Sequence, residues 1–325
     1  MSSTIVARAP TRLDFGGGWT DVPPYADREG GAVCNLAIAR YATASVTVAA
    51  RDGTPAIPPS GDPLIRAALS RASLPHASVT LANDFPVGAG LGGSSAAGVA
   101  LAGALAIARG APLLPHALAA ASRSTEVDGL GVPGGYQDHY AAAFGGALLL
   151  TLGGGHVDVE RIPLDAGLRE ELTRRLVLVY TGESRVSGEM ITAVRDAYLA
   201  GETRTVRALA RMKTLAGEMS AALRVGDVDT LGELLAEHWT WQRSLHPSIP
   251  TARIDAIISR AAASGAAGAK ALGASGGGCV IALARAGREE ELSRALGPLG
   301  TLLTFTIDTT GFTVVSRSTE GAGAT

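Results

Sequence analysis

Pro86-Val-Gly-Ala-Gly-Leu-Gly-Gly-Ser94-Ser95-Ala-Ala is the stretch on which the reading of this chain turns. It crowds four glycines into the six positions from Gly88 to Gly93 and runs straight into an Ala/Leu-rich segment, Ser95–Ala108, expected to be a helix. Glycines let backbone N–H groups turn toward a ligand, and a helix N-terminus behind them adds partial positive charge. The loop is therefore expected to cradle an anion such as phosphate. Ser94 and Ser95 are expected to cap the helix, with a hydroxyl to offer a metal-bound phosphate. Two standard templates fit poorly. Gly88, Gly90 and Gly93 satisfy G-x-G-x-x-G, yet the next acid is Glu126, too distant to take a ribose, and a P-loop needs lysine where Ser94 stands.

Three further glycine clusters flank this one. Upstream, Arg12-Leu-Asp14-Phe-Gly-Gly-Gly-Trp19-Thr20-Asp21-Val-Pro-Pro-Tyr25 sets carboxylates beside an aromatic, a pairing that suits a polyol: acceptors for hydroxyls and a flat face for a ring. Downstream, Glu126-Val-Asp128 precedes a glycine-rich turn that leads to Gly135-Tyr-Gln137-Asp138, where a helix is expected to begin. One carboxylate there suits Mg²⁺ and another suits the proton of an attacking hydroxyl; Asp138 alone fits equally well as a charge at a helix N-terminus. Last, Lys270-Ala-Leu-Gly-Ala-Ser275-Gly-Gly-Gly278-Cys279 reads as a backbone wall between strand-like pieces.

The composition narrows the classes. The 325 residues include 42 glycines, well above the average usage of about 7 %, and no Gly-X-Y period runs through them. Hydrophobic residues make up 46 % and charged residues 18 %, which excludes wholesale disorder. Net charge is −2 with no basic block, so no nucleic-acid partner is expected. Only Lys213 and Lys270 are lysines, which makes each conspicuous. Cys34 and Cys279 form no metal or disulfide pattern. The opening MSSTIVARAPTRLDF lacks an apolar run behind a basic start, and the longest apolar run, Ala96–Ala108, is too short to span a bilayer. A cytoplasmic globular protein with no membrane partner is expected.

Hydrophobic periodicity gives a mixed α/β order. Strands are expected at Ile5–Ala9, Val33–Ala49 (or a hairpin there), Ser78–Ala82, Gly145–Leu152, Leu176–Tyr180, Cys279–Leu283 and Leu303–Ile307. Helices are expected from Pro115 to Val127, at Ser187–Leu199, Thr205–Leu223, Val228–Leu245 and Thr251–Ser264, and at Glu289–Leu296. The texture changes near Gly153–Asp165, the expected domain boundary.

In this order and spacing the four clusters resemble the GHMP kinase superfamily (galacto-, homoserine, mevalonate and phosphomevalonate kinases), from Arg8 to about Leu283. The carriers are Pro-x-x-x-Gly-Leu-Gly-x-Ser-Ser-Ala, Gly-Gly-x-Gln-Asp and Lys-x-x-Gly-Ala-x-Gly-Gly-Gly. The resemblance implies an α/β (α+β) fold of two domains, ribosomal-protein-like over 1–160 and ferredoxin-like over 161–325, with ATP and substrate between them. It implies that Pro86, Gly88, Gly90, Leu91, Gly92, Gly93, Ser94 and Ser95 wrap the ATP phosphates, that Ser94 and Glu126 hold Mg²⁺, and that Asp138 is the catalytic base or orienting carboxylate, kept ionised by Arg12. Asp14, Trp19, Thr20, Asp21, Gly135, Gln137, Arg185, Gly276 and Gly277 fall to the substrate. Two positions depart from the family pattern: Ser275 replaces a glycine and His139 a glutamine.

Within the superfamily the detail resembles the sugar-1-kinases. Gly-Gly-x-Thr-Asp-x-Pro-Pro-Tyr and Tyr180-Thr-Gly-x-Ser-Arg185 are similar to D-glycero-D-manno-heptose 7-phosphate kinases, whereas Arg12-Leu-Asp14 and Asn35-Leu-Ala-Ile are similar to L-fucokinases. The expected substrate is a small sugar or sugar phosphate, and the expected assembly a monomer or homodimer. If a distal phosphate is present, Arg185, Arg28 or Arg40 is the candidate cation. A non-catalytic sugar-sensing relative and a nicotinamide-dependent dehydrogenase are the rival readings.

Overall fold

The computed structural model describes residues 2–48, 61–184 and 188–320. The first strand is far longer than the hydrophobic pattern implies. β1 (Ser2–Gly16) pairs along its length with β2 (Gly31–Val48), and both are antiparallel members of a six-stranded sheet. The register slips between Pro10 and Thr11, where Pro10 faces Tyr41 but Thr11 faces Ile38. Proline cannot donate to the ladder, and a bulge at such a point re-aims the side chains beyond it. From there the side chains alternate. Leu13 and Phe15 enter the core, while Arg12 and Asp14 share the opposite face.

β2 is long enough to serve three partners: β1, β3 (Ser78–Asn83) over Ala42–Thr47, and β4 (Ala147–Gly153) over Gly31–Leu36. β5 (His156–Ile162) completes that edge. The helices α1 (Tyr25–Glu29), α3 (Gly93–Ala108) and α5 (Gln137–Phe144) pack on this sheet, and α2 (Pro63–Arg71) and α4 (Pro115–Leu130) pack on α3. α3 buries Ala96, Ala97, Gly98, Ala100 and Gly103, small residues that let it lie close to β1 and β2.

The second sheet has the order β7-β8-β6-β9, all antiparallel: β6 (Leu176–Tyr180), β7 (Ala266–Ala271), β8 (Cys279–Ala284) and the short β9 (Thr301–Leu302). α6 (Ala166–Arg175), α10 (Ala252–Ala263) and α11 (Glu289–Leu296) accompany it. α7 (Gly188–Leu199) and α8 (Thr203–Val225) precede α9 (Val228–Gln242), which covers β7. α8 joins the halves. Its Leu215, Ala216 and Met219 lie in the first core, and Ala208, Leu209 and Met212 lie in the second.

The C-terminal end departs from expectation. Leu303–Ile307 is not a ladder strand; it joins the first sheet through the single bridge Ile38–Ile307. Asp308 then pins the chain: its N–H donates to Ala37 O, Oδ1 accepts from Thr310 N and Gly311 N, and Oδ2 accepts from Tyr41 OH. β10 (Thr313–Glu320) returns to pair with β1, so this last strand lies in the first sheet although the sequence grouped all of 161–325 together. No helix of the described residues is long and apolar enough to cross a membrane.

Candidate active site

A cavity of about 630 Å³ lies where the N-terminus of α3, the start of α5 and the glycine turn between β7 and β8 meet. The loop from Pro86 to Ser95 forms one wall. Its carbonyl oxygens are taken: Ala89 O accepts from Cys279 N, Gly90 O from the Arg12 guanidinium and Leu91 O from Arg12 N. Carbonyls held by these partners keep their negative dipoles away from an anion, and the α3 N-terminus adds positive potential. Gly92, and not Ser94 or Ser95 as expected, is the N-cap, at φ +74°. No side chain caps the helix, because both serine hydroxyls turn to Glu126. A Cβ on Gly92 would stand 3.0 Å from Asp138 Cγ. Only glycine suits both demands.

Asp138 sits in the first turn of α5, as expected, and Arg12 reaches it from β1. Arg12 Nε donates to Asp138 Oδ1 at 2.7 Å, and Nη2 lies 2.7 Å from the same oxygen. The contact is the one the sequence implies, and Arg12 lowers the carboxyl as expected, although burial acts against it. Burial raises the Asp138 carboxyl above its ordinary value and outweighs the lowering by Arg12; the Asp14 charge raises it further.

Glu126 reaches across from α4 to the loop. Ser94 Oγ donates to its Oε1 at 2.6 Å and Ser95 Oγ to its Oε2 at 3.2 Å. Burial raises this carboxyl too, opposed by the Ser94 hydrogen bond. His139 backs the pair. Its Nε2 lies 3.3 Å from Glu126 Oε2 and from Ser95 Oγ, and its Nδ1 lies 3.0 Å from Ser122 Oγ. Burial pushes His139 down to about 3, so the ring is neutral and carries one N–H. Against an ionised Glu126 that proton belongs on Nε2, with Ser122 donating to Nδ1. Among the described residues no three His, Cys, Asp or Glu side chains are grouped to hold a metal unaided. One carboxylate with adjoining hydroxyls nevertheless fits Mg²⁺, which completes its shell with phosphate oxygens and water.

The opposite wall holds Asp14, Trp19, Asp21, Gly135 and Gln137. Three buried atoms here lack a protein partner: the acceptors Asp14 Oδ1 and Gln137 Oε1 and the donor Trp19 Nε1. Buried polar atoms are seldom left so, and these three match the hydroxyls of a polyol. Trp19 also has φ +80°, strained for a bulky residue. Asp21 has a partly structural task. Its Oδ2 accepts from Tyr136 N and Gln137 N, a Cβ at Gly135 would stand 2.1 Å from that oxygen, and burial pushes Asp21 up to about 6.

Two expected substrate residues do not line the cavity. Thr20 staples the turn behind it, its Oγ1 lying 2.7 Å from Gly17 O and 3.0 Å from Ala32 O, and Gly276 donates its N–H to Ile249 O, while Gly277 does line the cavity. Arg185 lies outside the described residues. Arg40, bonded to Thr304 and Asp84 O, lines no part of the cavity, and neither does Arg28. The sequence did not mark Leu64, Leu81, Asn83 and Phe85, which also line the cavity. Nor did it mark Gln242, which is buried on α9 and holds Ser275 Oγ and Gly273 O at 2.9 Å each. Nothing local in the sequence marks such long-range pairs.

A glycine loop at a helix N-terminus, a carboxylate–hydroxyl pair beside it and a half-buried carboxylate on a buried arginine together define a phosphoryl-transfer cleft. Two family models match, GHMP kinases N terminal domain over residues 63–146 and GHMP kinases C terminal over 219–299, together about half of the chain. The chain belongs to the GHMP kinase family and is an enzyme, a phosphotransferase with an alcohol acceptor. Kinases of this family use ATP. The chain is 26 % identical to the D-glycero-alpha-D-manno-heptose 7-phosphate kinase of Campylobacter jejuni, over 90 % of this chain and 93 % of that one. It is 27 % identical to the bifunctional fucokinase/GDP-fucose pyrophosphorylase of Arabidopsis thaliana, over 88 % of this chain but 30 % of that one. A solved D-glycero-D-manno-heptose 1-phosphate kinase from Bacteroides thetaiotaomicron superposes with a TM-score of 0.76 at 25 % identity, over 99 % of this chain and 100 % of that one.

Proposed function

We propose that this kinase is an ATP- and Mg²⁺-dependent sugar kinase that phosphorylates an anomeric hydroxyl, with D-glycero-D-manno-heptose 7-phosphate as substrate and the 1,7-bisphosphate as product. It works in the cytoplasm as a monomer or homodimer. The observation that carries the reading is the Arg12–Asp138 pair, set between the phosphate loop and a wall of unpartnered hydroxyl-binding atoms. The acceptor lies against Asp14, Trp19 and Gln137, with its reacting hydroxyl toward Asp138. Asp138 accepts or orients that proton, and Arg12 fixes the carboxylate. The N–H groups of the loop and the α3 N-terminus stabilise charge developing on the transferred group. Glu126 and Ser94 would hold Mg²⁺, which would supply neutralisation of phosphate charge.

A second reading takes an unphosphorylated sugar such as L-fucose. It is favoured by one observation: among the described residues Arg12 is the only arginine or lysine lining the cavity, and it is already bonded to Asp138 and Gly90 O. An ADP-release screen over heptose 7-phosphate, fucose, galactose, glucuronate and mevalonate separates the two. The first reading expects the highest kcat/KM on heptose 7-phosphate. Preference for fucose selects the second, and turnover confined to mevalonate sinks both.

A further inference from the structure

The acceptor wall is carried by β1, yet part of what fixes it comes from the other half of the chain. Lys270 on β7 is wholly buried. Its Nζ lies 2.7 Å from Asp14 O, 3.2 Å from Phe15 O and 3.3 Å from Asp14 Oδ2. An ammonium has three donors, and three oxygens of residues 14 and 15 meet it. A charged group shut away from water is costly unless paired, and an apolar residue of similar length would fill the same slot at lower cost. Packing therefore does not explain a lysine at this position.

Asp14 is 1 % exposed and lines the cavity. Its Oδ2 meets Lys270, and a Cβ on Gly18 would stand 2.4 Å from that oxygen, so this side of the carboxylate is closed. Its Oδ1 is left without a partner. The charge of Asp14 adds to burial in raising the Asp21 and Asp138 carboxyls across the site. Arg12 is bonded to Asp138, which leaves Lys270 as the cation paired with Asp14. Nearby, His238 of α9 accepts from Gly17 N at 3.0 Å, so the second half holds the 14–17 segment at two points.

We propose that Lys270 is a positioning residue for the acceptor subsite: through its ion pair with Asp14 it holds that carboxylate with Oδ1 presented to a hydroxyl of a polyol acceptor. Lys270 itself touches no ligand. The proposal rests on the reading that Asp14 faces the acceptor and not the nucleotide.

Lys270→Met tests it. The folded variant is expected to show an acceptor KM raised about tenfold or more, with the KM for ATP within about twofold of wild type. A folded variant with an unchanged acceptor KM, or with both KM values raised alike, overturns the proposal. Lys270→Met leaves Asp14 buried and unpaired and is at risk of misfolding, so the same change is also made on Asp14→Asn. There it is expected to alter the acceptor KM by less than about twofold, because the partner charge is already gone; a further tenfold rise contradicts action through Asp14. A wild-type enzyme that uses none of the acceptors screened above fails the functional reading alone. The positioning claim is then decided by crystal structures of wild type and Lys270→Met. Displacement of the Asp14 carboxylate supports it, and an unmoved carboxylate overturns it.

Discussion

At Asp138 two opposing influences meet: burial raises the carboxyl and Arg12 lowers it, with burial the larger. A group that must be ionised to take a proton loses activity as pH falls through its raised value. The acid limb of kcat against pH is therefore expected above the ordinary aspartate value of about 3.9. Arg12→Met removes the lowering influence, so the limb moves to higher pH and kcat falls at every pH. A limb that stays in place or moves down contradicts the assignment. Ser275 gives a stability test on the other side of the cavity. It stands at φ +73° and its Oγ accepts from Gln242 Nε2. Ala and Gly both remove the hydroxyl, but Gly alone relieves the left-handed backbone. Ser275→Gly is expected to be more stable than Ser275→Ala by about 1 kcal/mol in denaturant or thermal unfolding.

The elements divide by how strongly they signal. α3 and α4 were legible because a long Ala/Leu run follows the glycine loop and Pro115 marks a start; the structure has them at Gly93–Ala108 and Pro115–Leu130. The four central helices of the second half carry apolar stripes and lie within a few residues of their expected limits, apart from the 185–187 stretch outside the described residues. β5 and β10 were not legible. Both are edge strands. β5 does alternate, with Val157 and Val159 less exposed than their neighbours, but falls in the stretch read as the domain boundary, whereas the polar composition of Thr313–Glu320 carries no periodic signal. α6 buries only Leu172 and Arg175, too little for an apolar stripe. The Leu303–Ile307 run reads as a strand because it is apolar, but packing against the first core and a single bridge replace the ladder. The candidate site was more legible than its supports. Arg12, Asp14, Glu126, Asp138 and Lys270 all stand in glycine clusters, but no local pattern marks which of them pair: Lys270 with Asp14, His139 with Ser122 and Gln242 with Ser275 are partners distant in sequence.

For the whole molecule, Asp308 and β10 bind the chain back on β2 and β1. Asp308 carries three hydrogen bonds through its carboxylate, to Thr310 N, Gly311 N and Tyr41 OH. Asp308→Ala leaves these donors without their acceptor and is expected to lower stability by about 1–3 kcal/mol in equilibrium unfolding, with the KM values unchanged, since Asp308 lines no part of the cavity. An unaltered unfolding midpoint denies the strap its role. The two halves also meet at the site itself, where Cys279 N holds the nucleotide loop at Ala89 O and Lys270 holds Asp14. The proposed function accordingly puts the reaction in the cleft between them. The most direct measurement is phosphorylation of D-glycero-D-manno-heptose 7-phosphate by ATP and Mg²⁺, followed by ADP release and ³¹P NMR, for wild type beside Asp138→Asn. The wild type is predicted to place phosphate on the anomeric oxygen, and Asp138→Asn to lose about 10²–10⁴-fold in kcat while still binding ATP. Asp138→Asn turning over at the wild-type rate contradicts the account.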